Sequence, residues 1–355
     1  MRCPFLLRVV SDVLQLNSTW LIFLIKQIQH QQSRMAEDNE TLPPTNQEEK
    51  FNGLFPLVIT IISIITIVGN LLVIVTLYKK PRTELRIVSN SLVLNLAIAD
   101  LMMGLVGEPL WISLHWVDGG VSMMLMSDSP STLYVTTRSV LVITATASRC
   151  TLFFLTVERY VALEMPLRRE KLFGGMALKL YIFLIWLDGS VTALLISFHD
   201  TNAIRLIFYI LPQFELVVIF VLYMRMFIII RKFNKILLAN EVRQPLVQSG
   251  DAFKLARKRE FSFAKNIFLL VGTFLLCYLP FSVTRVVEYF SDGVRTSLFF
   301  QELLLILYVS KCALDPILYT FIIPGYRWRV KEMVYNFAKT CADRLPSASN
   351  GAGNP

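Results

Sequence analysis

The sequence is poor in charged side chains and in the residues that build catalytic metal sites. Only 17% of its 355 residues are charged, whereas a soluble globular protein has about a quarter. It contains three histidines, His30, His115 and His199, and each falls in the N-terminal tail or between apolar blocks. A membrane hydrolase would need histidines and carboxylates clustered around a metal. We therefore expect neither an enzyme nor a bound metal or cofactor.

Cysteine is also scarce. The five cysteines are Cys3, Cys150, Cys277, Cys312 and Cys341, and three of them lie inside apolar blocks. This distribution leaves no pair for a disulfide between loops outside a membrane.

Long apolar runs are the dominant feature. Hydrophobic residues make up 54% of the chain, and the mean hydropathy is +0.55. The runs reach about 20 residues, which is the length of a membrane-spanning α-helix, and they lack the period-two alternation of barrel strands. We predict an all-α membrane protein with a tail at 1–53, a seven-helix transmembrane bundle at 54–322 and a cytoplasmic segment at 323–355. The seven blocks are about 54–78, 87–113, 132–163, 176–197, 203–231, 261–289 and 297–322.

Lysine and arginine are concentrated in alternate connecting segments, those after the first, third and fifth blocks. Such segments face the cytoplasm in membrane proteins. The N-terminus is therefore predicted outside and the C-terminus inside, and the net charge of +9 requires no nucleic-acid partner. The basic residues include Lys79, Lys80, Arg82 and Arg86, then Arg168, Arg169, Lys171 and Lys179, then Arg231, Lys232, Arg257, Lys258 and Arg259.

Three modification sites are candidates at the two ends of the chain. Asn17 and Asn39 each begin an Asn-X-Thr triplet on the predicted outer side, although such triplets are common by chance. Residues 326–337 alternate basic and aromatic side chains, as expected of an amphipathic helix on the inner leaflet. Cys341 follows this helix and is a candidate for palmitoylation.

Short motifs occur in order in nearly every block, and together they resemble the rhodopsin-like G-protein-coupled receptors over about residues 54–340. The resemblance implies a seven-transmembrane bundle with a short membrane-parallel eighth helix. It also implies a plasma-membrane location, an extracellular small-molecule, lipid or peptide ligand, and heterotrimeric G protein and arrestin as partners. The motifs are Gly69-Asn70, Leu96 to Asp100, Glu158-Arg159-Tyr160, Trp186, Phe274 to Pro280 and Asp315 to Tyr319.

Two departures relate the chain to one branch of this family. Tyr134 stands where the family usually has the cysteine of its outer-loop disulfide, and the second outer loop, about 199–206, is very short. With Asp315-Pro316 and the segment Leu222 to Phe227, these features are similar to the branch of melanocortin, adenosine, cannabinoid and lysophospholipid receptors.

The resemblance assigns roles to charged residues inside the spans, where ionisable groups are costly and mark function. It implies an activation latch of Glu158, Arg159 and Tyr160 with Glu260 as the resting partner of the arginine. Alternatively, Arg159 extends to the membrane interface and Glu260 is solvated among neighbouring basic residues. The other implied sets are a mid-membrane polar site (Asn70, Asp100, Ser148, Lys311, Asp315), a connector (Arg149, Glu215, Phe274, Tyr278, Pro280, Pro316, Tyr319) and a ligand pocket (Glu108, Arg138, Leu141, Arg285).

Two of these sets involve charges that are unusual for the family. Aligning the fifth span on Tyr223 makes Glu215 a partner for Arg149, whereas aligning it on Pro212 directs Glu215 elsewhere. Lys311 lies one turn before Asp315 in the site that often binds sodium in this family. Its ammonium group would supply the positive charge of that ion in a tethered form.

Alternative functions fit the sequence less well. A retinal-binding opsin needs a lysine six residues before Asp315, and Val309 is there; Lys311 lies about 200° further around the helix. An amine receptor of the usual kind needs a carboxylate eighteen residues before Arg159, where the chain has Leu141. A transporter would show internal repeats, which we do not find. Arg138 and Arg285 either recognise an acidic ligand or anchor helices at the interface.

We expect Glu260→Ala to raise ligand-independent G-protein signalling, because the substitution would release Arg159 from its resting partner. Basal second-messenger production at matched surface expression measures the effect. Unchanged or lower basal activity would show that Glu260 does not hold the latch.

Overall fold

The computed structural model describes residues 54–78, 88–118, 132–198, 202–243, 251–290 and 298–322, together with scattered residues between 328 and 339. Nearly all of these residues are helical. We number the helices α1 (Leu54–Tyr78), α2 (Val88–Met102, a π-helical turn Met103–Gly107, then Glu108–Asp118), α3 (Thr132–Glu164), α4 (Pro166–Phe173), α5 (Gly175–Phe198), α6 (Asn202–Arg243), α7 (Asp251–Phe290) and α8 (Leu298–Ile322).

All helices except the short α4 correspond to the seven predicted spans, and the predicted all-α membrane bundle is confirmed. Six of them are long and apolar enough to cross a membrane by length and composition. The remaining helix, α8, has 25 residues but carries Glu302, Lys311 and Asp315. These three side chains are buried, as expected of charges that avoid lipid by facing the protein interior.

The helix ends differ from the apolar blocks in three places. Helix α2 continues to Asp118, α6 continues to Arg243, and α7 begins at Asp251, ten residues before its apolar block. Hydropathy detects only the part of a helix that lies in the bilayer, whereas backbone hydrogen bonding continues through polar residues beyond it. Helix α6 also begins at Asn202, so the link that follows Phe198 is shorter than predicted.

Helix α3 occupies the centre of the bundle and packs against α2, α5, α6 and α7. The family motifs bring α1 and α8 together, since a Cβ atom at Gly69 would lie 2.8 Å from the Pro316 side chain. Gly189 similarly lets α5 approach the backbone of α3 at Ile143. The main apolar cluster joins all seven long helices and includes Val73, Leu92, Leu96, Leu152, Leu155, Leu178, Ile219, Phe274 and Tyr319.

The outer faces of α1, α5 and α6 are covered by large apolar side chains that remain exposed, such as Ile64, Phe183 and Phe214. The bundle is thus apolar outside and polar at selected positions inside, the arrangement of a membrane protein. Beyond α8, the described residues of the predicted amphipathic segment are helical, with Trp328 and Tyr335 exposed and Val330 packed on the main cluster. The tail at 1–53, with Asn17 and Asn39, and Cys341 lie outside the described residues.

Candidate functional site

A buried charge cluster lies where α2, α3 and α8 meet. The Lys311 ammonium is 2.7 Å from Asp315 Oδ2 and 3.2 Å from Asp100 Oδ1, and it also donates a hydrogen bond to Ser148 Oγ. Ser148 in turn donates to Asp100 Oδ1 at 3.1 Å. The ammonium group thus donates hydrogen bonds to Asp100 and Ser148 and is held near Asp315 as an ion pair.

Asn70, predicted to belong to this cluster, makes different contacts. Its side-chain amide donates to the carbonyl oxygens of Thr66 at 2.9 Å and Cys312 at 3.0 Å. Asn70 therefore joins α1 to the backbone of α8 beside Lys311, and these hydrogen bonds leave both carboxylates to the lysine and to Ser148.

The Glu158-Arg159 motif forms a second buried cluster near the predicted cytoplasmic end of α3. Arg159 contacts Glu158 through Nε at 2.5 Å and Nη2 at 2.6 Å, and Nη2 also donates to Ser89 Oγ on α2. Glu158 additionally accepts a hydrogen bond from Arg169 on α4 at 2.8 Å. Both members of the motif are buried, so Arg159 lies inside the protein in this structure.

The predicted resting partner of Arg159 is Glu260 on α7. Glu260 belongs to the helical span of α7, but its side chain lies outside the described part of the structure. Tyr160, the third residue of the motif, is half-buried and packs against the main apolar cluster.

Arg149 and Glu215 are brought together between α3 and α6, where they form an ion pair. Their side chains are only 8% and 17% exposed. Such a pair satisfies two charges that would each be costly alone in the membrane interior.

Aromatic rings connect this region to α8. Phe274 stacks on Tyr278 with ring centroids 5.2 Å apart, and Tyr308 contacts both Tyr278 and Phe281. Pro280 and Pro316 lie inside α7 and α8, respectively. A small cavity separates these rings from the lysine cluster. It is lined by Asp100, Met103, Thr144, Ala145, Ser148, Phe274, Tyr278, Tyr308, Lys311 and Cys312.

The four residues predicted to line a ligand pocket have different surroundings. Leu141 packs in an apolar cluster with residues of α1, α2 and α8, and Arg138 is half-buried on α3. Arg285 forms an ion pair with Glu288 at 2.9 Å and lies over the Phe281 ring. Glu108 is 1% exposed. The ionic neighbour of Arg285 weakens the case that this arginine recognises an acidic ligand.

Several polar contacts were not predicted from the sequence. Trp186 donates from its indole nitrogen to Asn95 at 3.0 Å, and Asn95 donates to Thr151 at 2.7 Å. His115 and Glu302 lie 3.3 Å apart. The motif pattern singled out Trp186 but not its hydrogen bond to Asn95, because that contact depends on how α2 and α5 are rotated about their axes.

Comparison with known proteins agrees with this geometry. The family described as "7 transmembrane receptor (rhodopsin family)" matches residues 69–319. The histamine H2 receptor of Canis lupus familiaris is 24% identical over 78% of each chain. The adenosine receptor A2a of Homo sapiens is 23% identical over 77% of this chain and 70% of that receptor. Trace amine-associated receptor 5 of Rattus norvegicus is 24% identical over 83% of this chain and 88% of its own.

The chain belongs to the rhodopsin family of seven-transmembrane receptors. It is a cell-surface G-protein-coupled receptor that crosses the plasma membrane several times, and it is not an enzyme.

The buried ion pair between α3 and α6 leads to a double-mutant prediction. We expect Arg149→Leu to lower the yield of folded receptor at the surface, because removing one partner of a buried ion pair costs about 3–5 kcal/mol. Adding Glu215→Leu should restore part of the loss, since no unpaired charge then remains. Surface labelling and thermal denaturation of the four variants measure the coupling, and strictly additive losses would contradict it.

Arg169 leads to a prediction about activation. If Arg159 leaves Glu158 on activation, Arg169 can keep that buried carboxylate paired. We therefore expect Arg169→Gln to lower basal signalling several-fold, both alone and combined with Glu260→Ala. The exposed neighbour Arg168 provides the control substitution Arg168→Gln. Higher basal signalling in Arg169→Gln would contradict this expectation and would show that Arg169 stabilises the resting conformation only.

Proposed function

We propose that this receptor binds an extracellular ligand among the outer halves of α2, α3, α7 and α8. We also propose that in its mid-membrane polar site the tethered Lys311 takes the place of a mobile sodium ion. The N-terminus is extracellular, the G protein engages the cytoplasmic side, and arrestin is a second cytoplasmic partner. The observation that carries the proposal is the position of the Lys311 ammonium between Asp100 and Asp315.

Such a ligand could act on the mid-membrane polar site through the cavity, because residues of that site line it. Tyr278 and Tyr308 line the cavity together with Lys311 and Asp100. A ligand that fits one arrangement of these side chains better than another would shift the population of receptor conformations. The signal would reach the cytoplasmic side through α7, which carries Phe274, and through α3, which carries Arg159.

The tethered ammonium group of Lys311 gives the mid-membrane polar site a permanent cation. Two carboxylates in a water-poor interior repel each other, and a cation between them reduces the cost of burying both. A sodium ion can leave the site, so its effect depends on concentration, whereas Lys311 is attached to α8 and remains. We infer that the conformational equilibrium of this receptor does not depend on sodium.

The surroundings of Arg285 narrow the class of ligand, and the relatives are named for ligands of more than one class. Histamine and trace amine receptors are named for amines, and adenosine receptors are named for a nucleoside. The ion pair of Arg285 with Glu288 argues against an acidic ligand at that position. A screen of ligands in cells that express a promiscuous G protein would identify the activating compound.

A comparison of salts tests the tethered lysine. We expect the melting temperature of the purified receptor to be equal in sodium chloride and in N-methyl-D-glucamine chloride at the same ionic strength. Lys311→Asn should melt at a higher temperature in sodium, because the vacated site can take the ion. Lys179→Asn, a substitution on the exposed face of α5, controls for loss of a lysine. A sodium-specific rise in the unmodified receptor would contradict the proposal.

A further inference from the structure

The π-helical turn in α2 changes the hydrogen bonding around Glu108. The backbone N–H of Glu108 donates to the carbonyl of Met103, five residues earlier, instead of to that of Gly104 as in an α-helix. The Gly104 carbonyl accepts a hydrogen bond from Ser63 Oγ on α1 at 2.8 Å. The turn thereby uses the only hydroxyl proton of Ser63.

The same turn sets the direction in which Glu108 leaves the helix. In a regular α-helix, residues eight apart differ by about 80° in angular position. The extra residue of a π turn removes about 100° of that rotation, so Glu108 lies within about 20° of the Asp100 direction. Glu108 therefore lies on the face of α2 that carries the lysine cluster, on its outer side.

The carboxylate of Glu108 is buried without a hydrogen bond. The residue is 1% exposed, and within the described part of the chain neither side-chain oxygen has a hydrogen-bond partner. Ser63 Oγ lies within hydrogen-bonding reach of the carboxyl group, but its single hydroxyl proton is directed to the Gly104 carbonyl at 2.8 Å. Buried polar groups are nearly always hydrogen-bonded, so this carboxylate is an exception that requires an explanation.

The surroundings of Glu108 make the exception costly. Cys312 on α8 lies near it, and Cys312 belongs to an apolar cluster with Ile59, Trp111 and Leu305. An ionisable group at such depth marks a functional position. Glu302, at the same outer side of the bundle, differs because it lies 3.3 Å from His115.

The charges in this region have an excess of one sign. Asp100, Glu108 and Asp315 contribute three carboxyl groups, whereas Lys311 contributes one ammonium group, which contacts Asp100 and Asp315. A site with excess negative charge and low-dielectric walls attracts cations. Met103 and Cys312 line the cavity. Met103 accepts the backbone hydrogen bond of Glu108, and Cys312 lies within electrostatic range of the Glu108 carboxyl group, so a ligand that extends outward from the cavity would approach that group.

Helix α3 offers no competing anchor for a cation at this level. Leu141 stands at the family's amine-binding position, and a Cβ atom at Gly107 would lie 3.2 Å from Leu141 Cδ2. Glu108 is the residue after Gly107, so the acidic group is displaced from α3 to the neighbouring helix. Trp111, one turn further along α2 and buried, could add a cation–π contact.

We propose that Glu108 is the anchor for the positively charged group of the ligand, an ammonium or guanidinium, which fixes the ligand class as a small organic cation. This inference rests on the proposed ligand site between the outer halves of the helices. It does not rest on the role of Lys311 in sodium independence. The cation supplies the hydrogen-bond donors that Glu108 lacks, so binding removes the cost of the buried carboxylate.

The first arm of the test uses the full-length receptor without ligand, purified in potassium chloride. We expect Glu108→Gln to leave the melting temperature unchanged or to raise it by about 2–4 °C, because the variant removes a buried charge that has no partner. The matched control is Glu302→Gln, which removes a carboxylate that has a partner and should lower the melting temperature. A decrease in Glu108→Gln as large as in the control would overturn the proposal.

The second arm compares three probes of similar shape: 2-phenylethylamine, which is cationic, 2-phenylethanol, which is neutral, and 3-phenylpropionate, which is anionic. We expect only the amine to raise the melting temperature of the unmodified receptor as its concentration increases. Glu108→Gln should weaken this effect at least about tenfold, the loss of one charge-assisted hydrogen bond. Glu302→Gln should leave the probe concentration for the half-maximal shift unchanged.

The second arm would overturn the inference if the amine and the alcohol had equal effects, if the carboxylate had a larger effect, or if the amine gave no stabilisation up to millimolar concentrations. An amine effect that persists unchanged in Glu108→Gln would show that the cation binds elsewhere. Sodium chloride added to the same samples tests Lys311 separately. A sodium-specific shift of the unmodified receptor would refute the tethered lysine and leave the result on Glu108 standing.

Discussion

A charge buried inside the bundle is costly unless a partner neutralises it. Three clusters supply such partners from within the protein, each in a different way. Lys311 joins two acidic side chains of different helices, Arg149 pairs with one glutamate across a helix interface, and Arg159 shares Glu158 with a second arginine. The packing of the helices depends on these contacts, because separating a pair leaves a charge that lipid cannot solvate.

All three clusters include a residue of α3. Ser148 and Arg149 lie about 15 Å along the helix axis from Arg159, and their partners belong to α2, α4, α6 and α8. A helix that moves relative to α3 must exchange one set of charged contacts for another. Such exchange favours discrete conformations over gradual deformation, and this is the physical basis on which ligand binding outside can change contacts inside.

The sequence predicted the features that follow from the high cost of exposing polar or charged groups to lipid. Apolar block length identified the seven helices, and the expense of a buried arginine made Glu215 a partner for Arg149. It did not recover features that depend on the rotation of one helix against another. The hydrogen bonds of Asn70 to Thr66 and Cys312 and the contact of Arg169 with Glu158 are of this kind. The continuation of α6 and α7 beyond the bilayer was missed because polar helix carries no hydropathy signal.

The π turn at Met103–Gly107 is a local change in helix geometry that hydropathy does not detect, although Pro109 follows it closely in the sequence. In a regular helix Glu108 would lie about 80° from the direction of Asp100. The inserted residue brings it to the Asp100 face and, by using Ser63 for the Gly104 carbonyl, removes a donor that could have satisfied it. Stability alone would favour an apolar residue at this position. A carboxylate at this position is explained by the proposed incoming cation, which would supply the hydrogen-bond donors that the described residues do not.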